Sequence, residues 1–199
     1  MSEANKREQI VTVDENDNVI GEEDKEKCHD GGGILHRGFL AMVLNTAGKL
    51  MLTRRSDKKR LWPGFWDGSV ASHLLKGEDY EVASMRRLKQ EIGLVTDHVT
   101  YAFKFRYKVE YSGIGTEHEI CAVTIVRGID TNALIYDRSE ISDARLVDLK
   151  TLMKEVREDG HIYTPWLILA LEHINRGSFS GDKLLQSEYR GYVPVSLLR

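Results

Sequence analysis

The chain has 199 residues, a formal net charge of −3 and 41% apolar residues, which is enough for one sizeable hydrophobic core. The small negative charge argues against a nucleic-acid-binding protein that works by bulk electrostatics, and no apolar run is long enough to span a membrane. The cysteines, Cys28 and Cys121, are far apart and predict no disulfide framework, and the polar N-terminus lacks the apolar core of a secretory signal. We therefore expect a cytoplasmic protein, and both a monomer and a homodimer remain open.

The first part of the chain predicts two β-hairpins. One spans residues 9–20 around the turn residues 15–18, and the other spans residues 39–52 around the turn residues 45–48. Between them, residues 22–33 are charged and then glycine-rich, which predicts a loop.

Residues 78–92 predict an amphipathic helix. Apolar side chains recur with the 3.6-residue period from Val82 through Leu88 to Ile92. Gly93 follows the last of them and predicts the end of the helix.

The later elements are strands at 101–111, 119–126 and 144–147, followed by helices at 148–157 and 164–175. Strands that dominate the first two-thirds, with helices near the end, indicate an α+β fold.

One domain and a short appendage account for the whole length. We assign residues 1–176 to a single domain and residues 177–199 to a C-terminal tail. The tail either packs on the domain or contacts another subunit.

Three histidines and two carboxylates form a candidate metal site. His29, His36 and His73 lie before or within the strand-rich segment, and Glu117 and Glu119 are at i and i+2, on one face of a strand. Such a set suits an octahedral divalent ion such as Mn²⁺, Mg²⁺ or Zn²⁺. The alternative is that each histidine is a surface residue or a satisfied loop residue.

The end of the predicted helix carries Arg87 and Glu91 at i,i+4, so the two side chains share a face. A glutamate there could hold Mg²⁺, and an arginine could bind phosphate oxygens. The alternative is a solvated ion pair.

The same segment resembles the Nudix hydrolase motif in the register fixed by Gly93. Glu78 stands at the first glutamate of that motif, but Arg87 and Gln90 replace two others, and only Glu91 of the acidic cluster remains. A Nudix hydrolase needs several carboxylates to hold metals and activate water, so this helix is poorly equipped for hydrolysis.

Over residues 10–175, the chain resembles type I isopentenyl diphosphate isomerases, which have a Nudix fold. The segments that carry this resemblance, in order, are Gly21–Lys25 with His29 and His36, Thr53–Arg55, Lys58-Lys59 with Trp62–Gly64, Ser69-Val70 with Ser72-His73, Arg86–Leu88, Glu91–Gly93, Arg106-Tyr107, Glu117–Glu119 and Thr164–Trp166. The resemblance implies an α+β Nudix fold with a mixed β-sheet core sandwiched by helices.

The resemblance also implies roles for individual residues toward a small prenyl diphosphate. The implied ligands of a Mn²⁺ or Zn²⁺ ion are His29, His36, His73, Glu117 and Glu119. The implied diphosphate contacts are Lys25, Arg55, Lys59 and Arg87, with Glu91 binding a Mg²⁺ that bridges to the diphosphate. The implied proton donors are Glu119 and Tyr107, and the residue over the developing carbocation is Trp166.

Ala71 departs from the family, which has a catalytic cysteine at this position. A methyl group neither takes nor gives a proton, and the hydroxyl of Ser72 points to the other face of the strand. Asp67-Gly68 and Leu74 are further departures from Thr-Asn and Pro.

Three hypotheses follow. The first is an isomerase of isopentenyl and dimethylallyl diphosphate that Ala71 weakens. The second is a Nudix hydrolase of a diphosphate metabolite, and the third is a non-catalytic paralogue that binds a diphosphate.

Overall fold

A computed structural model describes residues 8–177, 184–187 and 189, and it confirms the α+β fold class. The strands are β1 (Gln9–Val13), β2 (Val19–Asp24), β3 (His36–Asn45), β4 (Leu50–Arg55), β5 (Trp66–Asp67), β6 (Val70–His73), β7 (Thr100–Tyr111), β8 (Gly115–Ile129), β9 (Ile141–Val147) and β10 (Leu184–Gln186). The α-helices are α1 (Lys25–His29), α2 (Tyr80–Ile92), α3 (Leu149–Asp159) and α4 (Pro165–Asn175).

Strand β3 is the centre of the sheet. It pairs in parallel with β8 and antiparallel with β6, and β1 and β4 pair with its beginning and its end. The sheet is therefore mixed. It places His36 directly beside Glu119, and Gly38 directly between His73 and Cys121.

The alternation of apolar side chains along β3 produces two hydrophobic cores. Phe39, Ala41 and Val43 face the core that α2 covers, whereas Leu40 and Met42 face the core that α4 covers. Side chains of neighbouring residues point to opposite faces of a strand, so a continuously apolar strand is one that is covered on both faces. The described residues thus confirm a sheet sandwiched by helices.

Helix α2 ends at Gly93 as its sequence predicts, but it begins at Tyr80, two residues after the predicted start at residue 78. The carboxylate of Asp79 accepts a hydrogen bond from the backbone N–H of Val82, and Gly93 ends the helix with a left-handed φ of 69°. The predicted apolar stripe is wrong at Val82, which is 43% exposed, because Ala83 and Ser84 take the inward positions of the first turns.

The prediction of a loop over residues 22–33 is wrong for residues 22–29. Strand β2 continues to Asp24, and α1 follows at once. The Asp24 carboxylate accepts hydrogen bonds from the backbone N–H groups of Glu26 and Lys27, which caps a helix too short to show a periodic pattern.

Part of the predicted tail lies along the sheet edge. Residues 184–186 form β10, which pairs in parallel with β7, and the backbone N–H of Ser187 donates to the carbonyl of Arg106. The remainder of the tail, at 178–183, 188 and 190–199, lies outside the described residues, and the boundary at residue 176 stays a prediction. Among the described residues, none of the helices has both the length and the apolar character that crossing a membrane requires.

Candidate active site

A cavity of about 370 Å³ opens on the α4 side of the sheet. Predicted site residues that line it are Lys25, His29, Arg55, Lys59, Ala71, His73, Tyr107, Glu117, Glu119 and Trp166. Of the other three, His36 is fully buried beside Glu119, Glu91 lines a small adjoining recess, and Arg87 is paired to Glu91. The structure therefore brings the predicted residues together in one region.

The histidine–carboxylate cluster consists of His29, His36, His73, Glu117 and Glu119. These residues come from α1, β3, β6 and β8, and the centroids of the three imidazole rings are 4.9 to 5.0 Å apart. One potential ligand atom from each of the histidines and from Glu117 lies within 4.8 Å of the others.

Backbone carbonyls orient two of the imidazoles. Nδ1 of His29 lies 2.6 Å from the carbonyl oxygen of Lys25, and Nδ1 of His36 lies 2.7 Å from that of Ile34. Since a carbonyl oxygen only accepts, both Nδ1 atoms carry the proton and both Nε2 atoms face the carboxylates. This arrangement, with Nδ1 held by a carbonyl, is typical of metal-binding histidines.

The titratable groups of the cluster shift one another's pKa values. Burial lowers the pKa of His29, but Glu117 and the Lys25 carbonyl outweigh burial and raise it to about 9. Burial and the other two imidazoles hold the pKa of His73 well below its usual value. Burial raises the pKa of Glu117, but His29 outweighs it and the pKa is lowered. The His29 imidazolium therefore pairs with the ionised Glu117, whereas the His73 imidazole stays neutral.

The donor atoms fit a divalent ion. Nε2 of His36 is buried and has no hydrogen-bond partner among the described residues, and it lies 3.5 Å from Oε1 of Glu119 and 4.0 Å from Oε2 of Glu117. Imidazole nitrogens combined with carboxylate oxygens suit Mn²⁺ or Zn²⁺. An ion at this point would satisfy the buried nitrogen.

Tyr107 and Glu119 form the wall beside the cluster. The Tyr107 hydroxyl donates a 2.6 Å hydrogen bond to Oε2 of Glu119. Burial and the nearby carboxylate raise the pKa of Tyr107 well above its usual value, so the phenol keeps its proton. The pair therefore presents a protonated oxygen next to a carboxylate.

The cationic end of the cavity consists of Lys25, Arg55, Lys59 and Arg87. All four of these cations pair with carboxylates of the chain: Lys25 with Glu8 at 2.9 Å, Arg55 with Asp67 at 3.2 Å, Lys59 with Glu140, and Arg87 with Glu91 at 2.7 Å and Glu140 at 3.2 Å. Burial and Arg55 lower the pKa of Lys59. Glu140, which the sequence did not single out, thus neutralises two of the four cations.

Asp67 is a second residue that sequence reasoning missed. The sequence marked it only as a departure from a family pattern, yet its buried carboxylate accepts hydrogen bonds from Arg55 and Trp166. The relationship joins residues far apart in the chain, so no local pattern signals it.

Ala71 lies on the cavity wall, on the same face of β6 as His73. Of the two cysteines, Cys121 lines the cavity. Cys28 is fully buried and does not line it. Burial and Glu119 raise the pKa of Cys121 well above its usual value, and burial raises that of Cys28 to about 12. Both thiols therefore remain protonated at neutral pH.

Comparison with known proteins agrees with this architecture. Residues 34–167 match the family model described as NUDIX domain. A crystal structure of DR0079 from Deinococcus radiodurans superposes with a TM-score of 0.67 at 21% identity, covering 83% of this chain and 98% of that one. A MutT protein from Methanosarcina mazei superposes with a TM-score of 0.56 at 16% identity, covering 72% and 95%. At these identities the structural likeness concerns the fold alone. Together with the family match, it shows that the chain is a Nudix-fold protein.

Similarity to curated relatives identifies the family more narrowly than the fold does. Isopentenyl-diphosphate Delta-isomerase 1 of Photorhabdus laumondii subsp. laumondii is 33% identical over 160 residues, which cover 80% of this chain and 90% of the relative. The isopentenyl-diphosphate Delta-isomerase of Halobacterium salinarum is 32% identical over 184 residues, covering 89% and 83%. The chain belongs to the isopentenyl-diphosphate Delta-isomerase family of Nudix-domain proteins.

Proposed function

We propose that the chain interconverts isopentenyl and dimethylallyl diphosphate by adding a proton to one carbon of the substrate and removing one from another. The observation that carries this proposal is the composition of a single cavity. It contains the histidine–carboxylate cluster, the cationic end, the Tyr107–Glu119 pair and the indole of Trp166. Each of these parts matches one chemical demand of the reaction.

The cationic end would bind the diphosphate. Lys25, Arg55 and Lys59 line the cavity, and a diphosphate carries several negative charges that such side chains neutralise. Glu91 borders the recess that Arg55 and Lys59 share, and its carboxylate would hold a Mg²⁺ ion that neutralises part of the diphosphate charge.

The Tyr107–Glu119 pair would supply the proton. Protonation of the alkene creates a tertiary carbocation, and the face of an indole stabilises a cation without reacting with it. Trp166 is only 3% exposed and lines the same cavity, so water would be kept from the cation on that side. A Mn²⁺ or Zn²⁺ ion in the histidine–carboxylate cluster would act as a Lewis acid that makes the neighbouring acid stronger.

Ala71 would limit the reaction. The proton that leaves the substrate needs an acceptor on the opposite side from Glu119, and a methyl group offers none. We therefore infer a slow isomerase whose binding apparatus is intact.

The test is NMR of isopentenyl diphosphate in D₂O with Mg²⁺ and Mn²⁺. We expect slow formation of the allylic isomer and incorporation of deuterium. The absence of both at high enzyme concentration would refute isomerisation.

Binding without turnover is the second candidate, and Ala71 is the observation that favours it. Tight binding of prenyl diphosphate by calorimetry, with no product or deuterium uptake, would support this alternative.

Hydrolysis is less well supported. Glu78 is held by Arg86 at 2.6 and 2.9 Å and accepts from the backbone N–H of Leu75, so its carboxylate is occupied. Arg87 and Gln90 stand where the hydrolase motif has glutamates. Release of phosphate from a nucleotide or prenyl-diphosphate panel would reverse this ranking.

A further inference from the structure

Asp67 is a carboxylate almost completely removed from solvent at the end of β5, with 3% of its surface exposed. Its partner across the antiparallel pair with β4 is Thr53. A buried carboxylate is costly unless donors surround it, so its hydrogen bonds show what it stabilises.

Four donors converge on the two oxygens of Asp67. Oδ1 accepts from Nε1 of Trp166 at 2.7 Å, from the hydroxyl of Thr164 at 3.0 Å and from the backbone N–H of Gly68 at 2.7 Å. Oδ2 accepts from NH1 of Arg55 at 3.2 Å. Oδ1 thus bonds to two residues at the beginning of α4, and Oδ2 bonds to Arg55 at the end of β4.

The two main partners are also in contact with each other. The guanidinium carbon of Arg55 lies 5.1 Å from the centre of the Trp166 ring, which is within the range of a cation–π contact. Nε and NH2 of Arg55 also donate to the carbonyls of Trp62 and Leu61, and the Trp62 ring meets the Trp166 ring edge-on at 5.2 Å. Arg55 and Trp166 are therefore oriented together, with Asp67 bonded to both.

Both partners line the cavity, but at chemically different parts of it. Arg55 belongs to the cationic end, and Trp166 forms the apolar wall. The distance between a bound diphosphate and the indole therefore depends on how these two side chains are held relative to each other.

We propose that Asp67 is a positioning residue that fixes Arg55 and Trp166 relative to each other, and so sets the spacing between the diphosphate end and the hydrocarbon end of the cavity. This inference rests on the proposed function. Asp67 does not line the main cavity but borders the small adjoining recess, and its two oxygens already accept from four donors, so it acts through its partners. Its short side chain allows one oxygen for each partner, and its negative charge strengthens both hydrogen bonds.

The test uses Asp67→Asn. The amide keeps an oxygen for Trp166 and Thr164 but turns a donor toward Arg55, which is itself only a donor. We expect the Nε1–H resonance of Trp166 to move upfield in the ¹H–¹⁵N spectrum, because a neutral acceptor forms a weaker hydrogen bond. We also expect affinity for inorganic diphosphate with Mg²⁺, measured by calorimetry, to fall about tenfold.

The matched control is Asp17→Asn. Like Asp67, Asp17 is a buried carboxylate that does not line the cavity. It pairs with two cations, Arg37 and Lys104. This variant should change neither the Trp166 resonance nor diphosphate binding. An unchanged resonance and unchanged binding in folded Asp67→Asn would overturn the proposal.

The wild-type protein provides a measurement that does not depend on the folding of that variant. Titration with inorganic diphosphate and Mg²⁺ should move the Trp166 Nε1–H resonance, assigned with Trp166→Phe, more than the indole resonance of Trp66, a half-buried residue that does not line the cavity. A Trp166 resonance that stays fixed at saturation would also overturn the proposal.

Neither readout requires isomerisation. Diphosphate binding and a shifted indole resonance without any turnover would refute the proposed reaction and leave the role of Asp67 standing.

Discussion

Tyr107 and Glu119 are direct cross-strand partners in the β7–β8 pair, and the Tyr107 hydroxyl donates a 2.6 Å hydrogen bond to the Glu119 carboxylate. Glu119 also lies 3.3 Å from Nε2 of His73 and 3.5 Å from Nε2 of His36. The carboxylate is therefore shared between a phenol and two imidazoles. A change at any of these neighbours should alter how Glu119 handles a proton.

Tyr107→Phe should lower the isomerase kcat by about 10²-fold, with a smaller change in KM, because it removes a proton donor without touching the cationic end. Initial rates over a range of isopentenyl diphosphate concentrations measure both constants. The control is Tyr80→Phe, which removes a buried hydroxyl that accepts or donates no hydrogen bond among the residues that the structure describes and does not line the cavity. Equal rates for wild type and Tyr107→Phe would exclude the phenol from proton transfer.

Ala71→Cys should increase the isomerisation rate by about 10²- to 10⁴-fold, which is the usual contribution of a positioned acid or base. The thiol would stand on the cavity side of β6. Ser72→Cys is the matched control, since residue 72 also borders the cavity but pairs with Phe39, so its side chain points to the other face of the strand. If Ala71→Cys gave no gain, the substrate or the reaction would differ from the one proposed.

Gly38→Ala should damage the site more than the fold. A methyl group at this position would overlap Oε1 of Glu119, the flexible end of a side chain, and the carboxylate would have to move away from Tyr107 and His73. We expect the free energy of unfolding to fall by about 1 kcal/mol or less. Mn²⁺ affinity, measured by calorimetry, should fall by about tenfold or more.

The control for Gly38→Ala is Gly21→Ala, whose added methyl would meet Thr12 at an ordinary 3.6 Å. Mn²⁺ affinity equal in the two variants would show that Glu119 is not a ligand.

His36→Ala should abolish high-affinity binding of Mn²⁺ or Zn²⁺, because it removes a buried nitrogen that forms no hydrogen bond within the described part of the chain. Calorimetry, or electron paramagnetic resonance with Mn²⁺, measures the loss. His118→Asn is the matched control, since His118 lies between Glu117 and Glu119 in sequence but points to the opposite face of β8. Equal Mn²⁺ affinity in wild type and His36→Ala would contradict a metal site at the cluster.

Glu140→Gln should reveal how much the two ion pairs of Glu140, with Lys59 and Arg87, stabilise the cationic end. Burial raises the pKa of Glu140, but Lys59 and Arg87 outweigh it and lower the pKa from 4.5 to about 2. A carboxyl whose pKa is lowered by folding stabilises the fold above its unfolded pKa, and this contribution is lost as the pH falls toward the folded pKa.

The difference in unfolding free energy between wild type and Glu140→Gln should therefore be largest above pH 4.5 and shrink toward pH 2. It should not exceed about 3 kcal/mol. Urea unfolding at a series of pH values measures it, and a difference that stays constant with pH would contradict the ion-pair account.

Periodic patterns predicted the main elements of the fold, and the structure explains the exceptions. The hairpins, α2 and α4 depend on alternation or on a 3.6-residue repeat, which are properties of the sequence itself. Helix α1 has only five residues, so its sole signal is the capping carboxylate of Asp24. That signal is too common among aspartates to predict a helix alone.

The residues of the candidate site likewise fall into those that the sequence predicted and those that it did not. Residues named by the family resemblance proved to be close together, although their roles stay predictions. Asp67 and Glu140 could not be found from sequence, because each acts on partners brought near only by the fold. Asp67 bonds to Trp166, which is 99 positions further along the chain, and Glu140 contacts Arg87, which is 53 positions before it.

The histidine–carboxylate cluster draws its five side chains from α1, β3, β6 and β8, segments that span residues 29 to 119. An unfolded chain would not hold these groups together, so an ion bound there would bind the native state in preference to the unfolded one. Each tenfold rise in free ion above the dissociation constant would then add about 1.4 kcal/mol to the free energy of unfolding. The persistence of this protein would thus be linked to the supply of a trace element, even under conditions in which it meets no substrate.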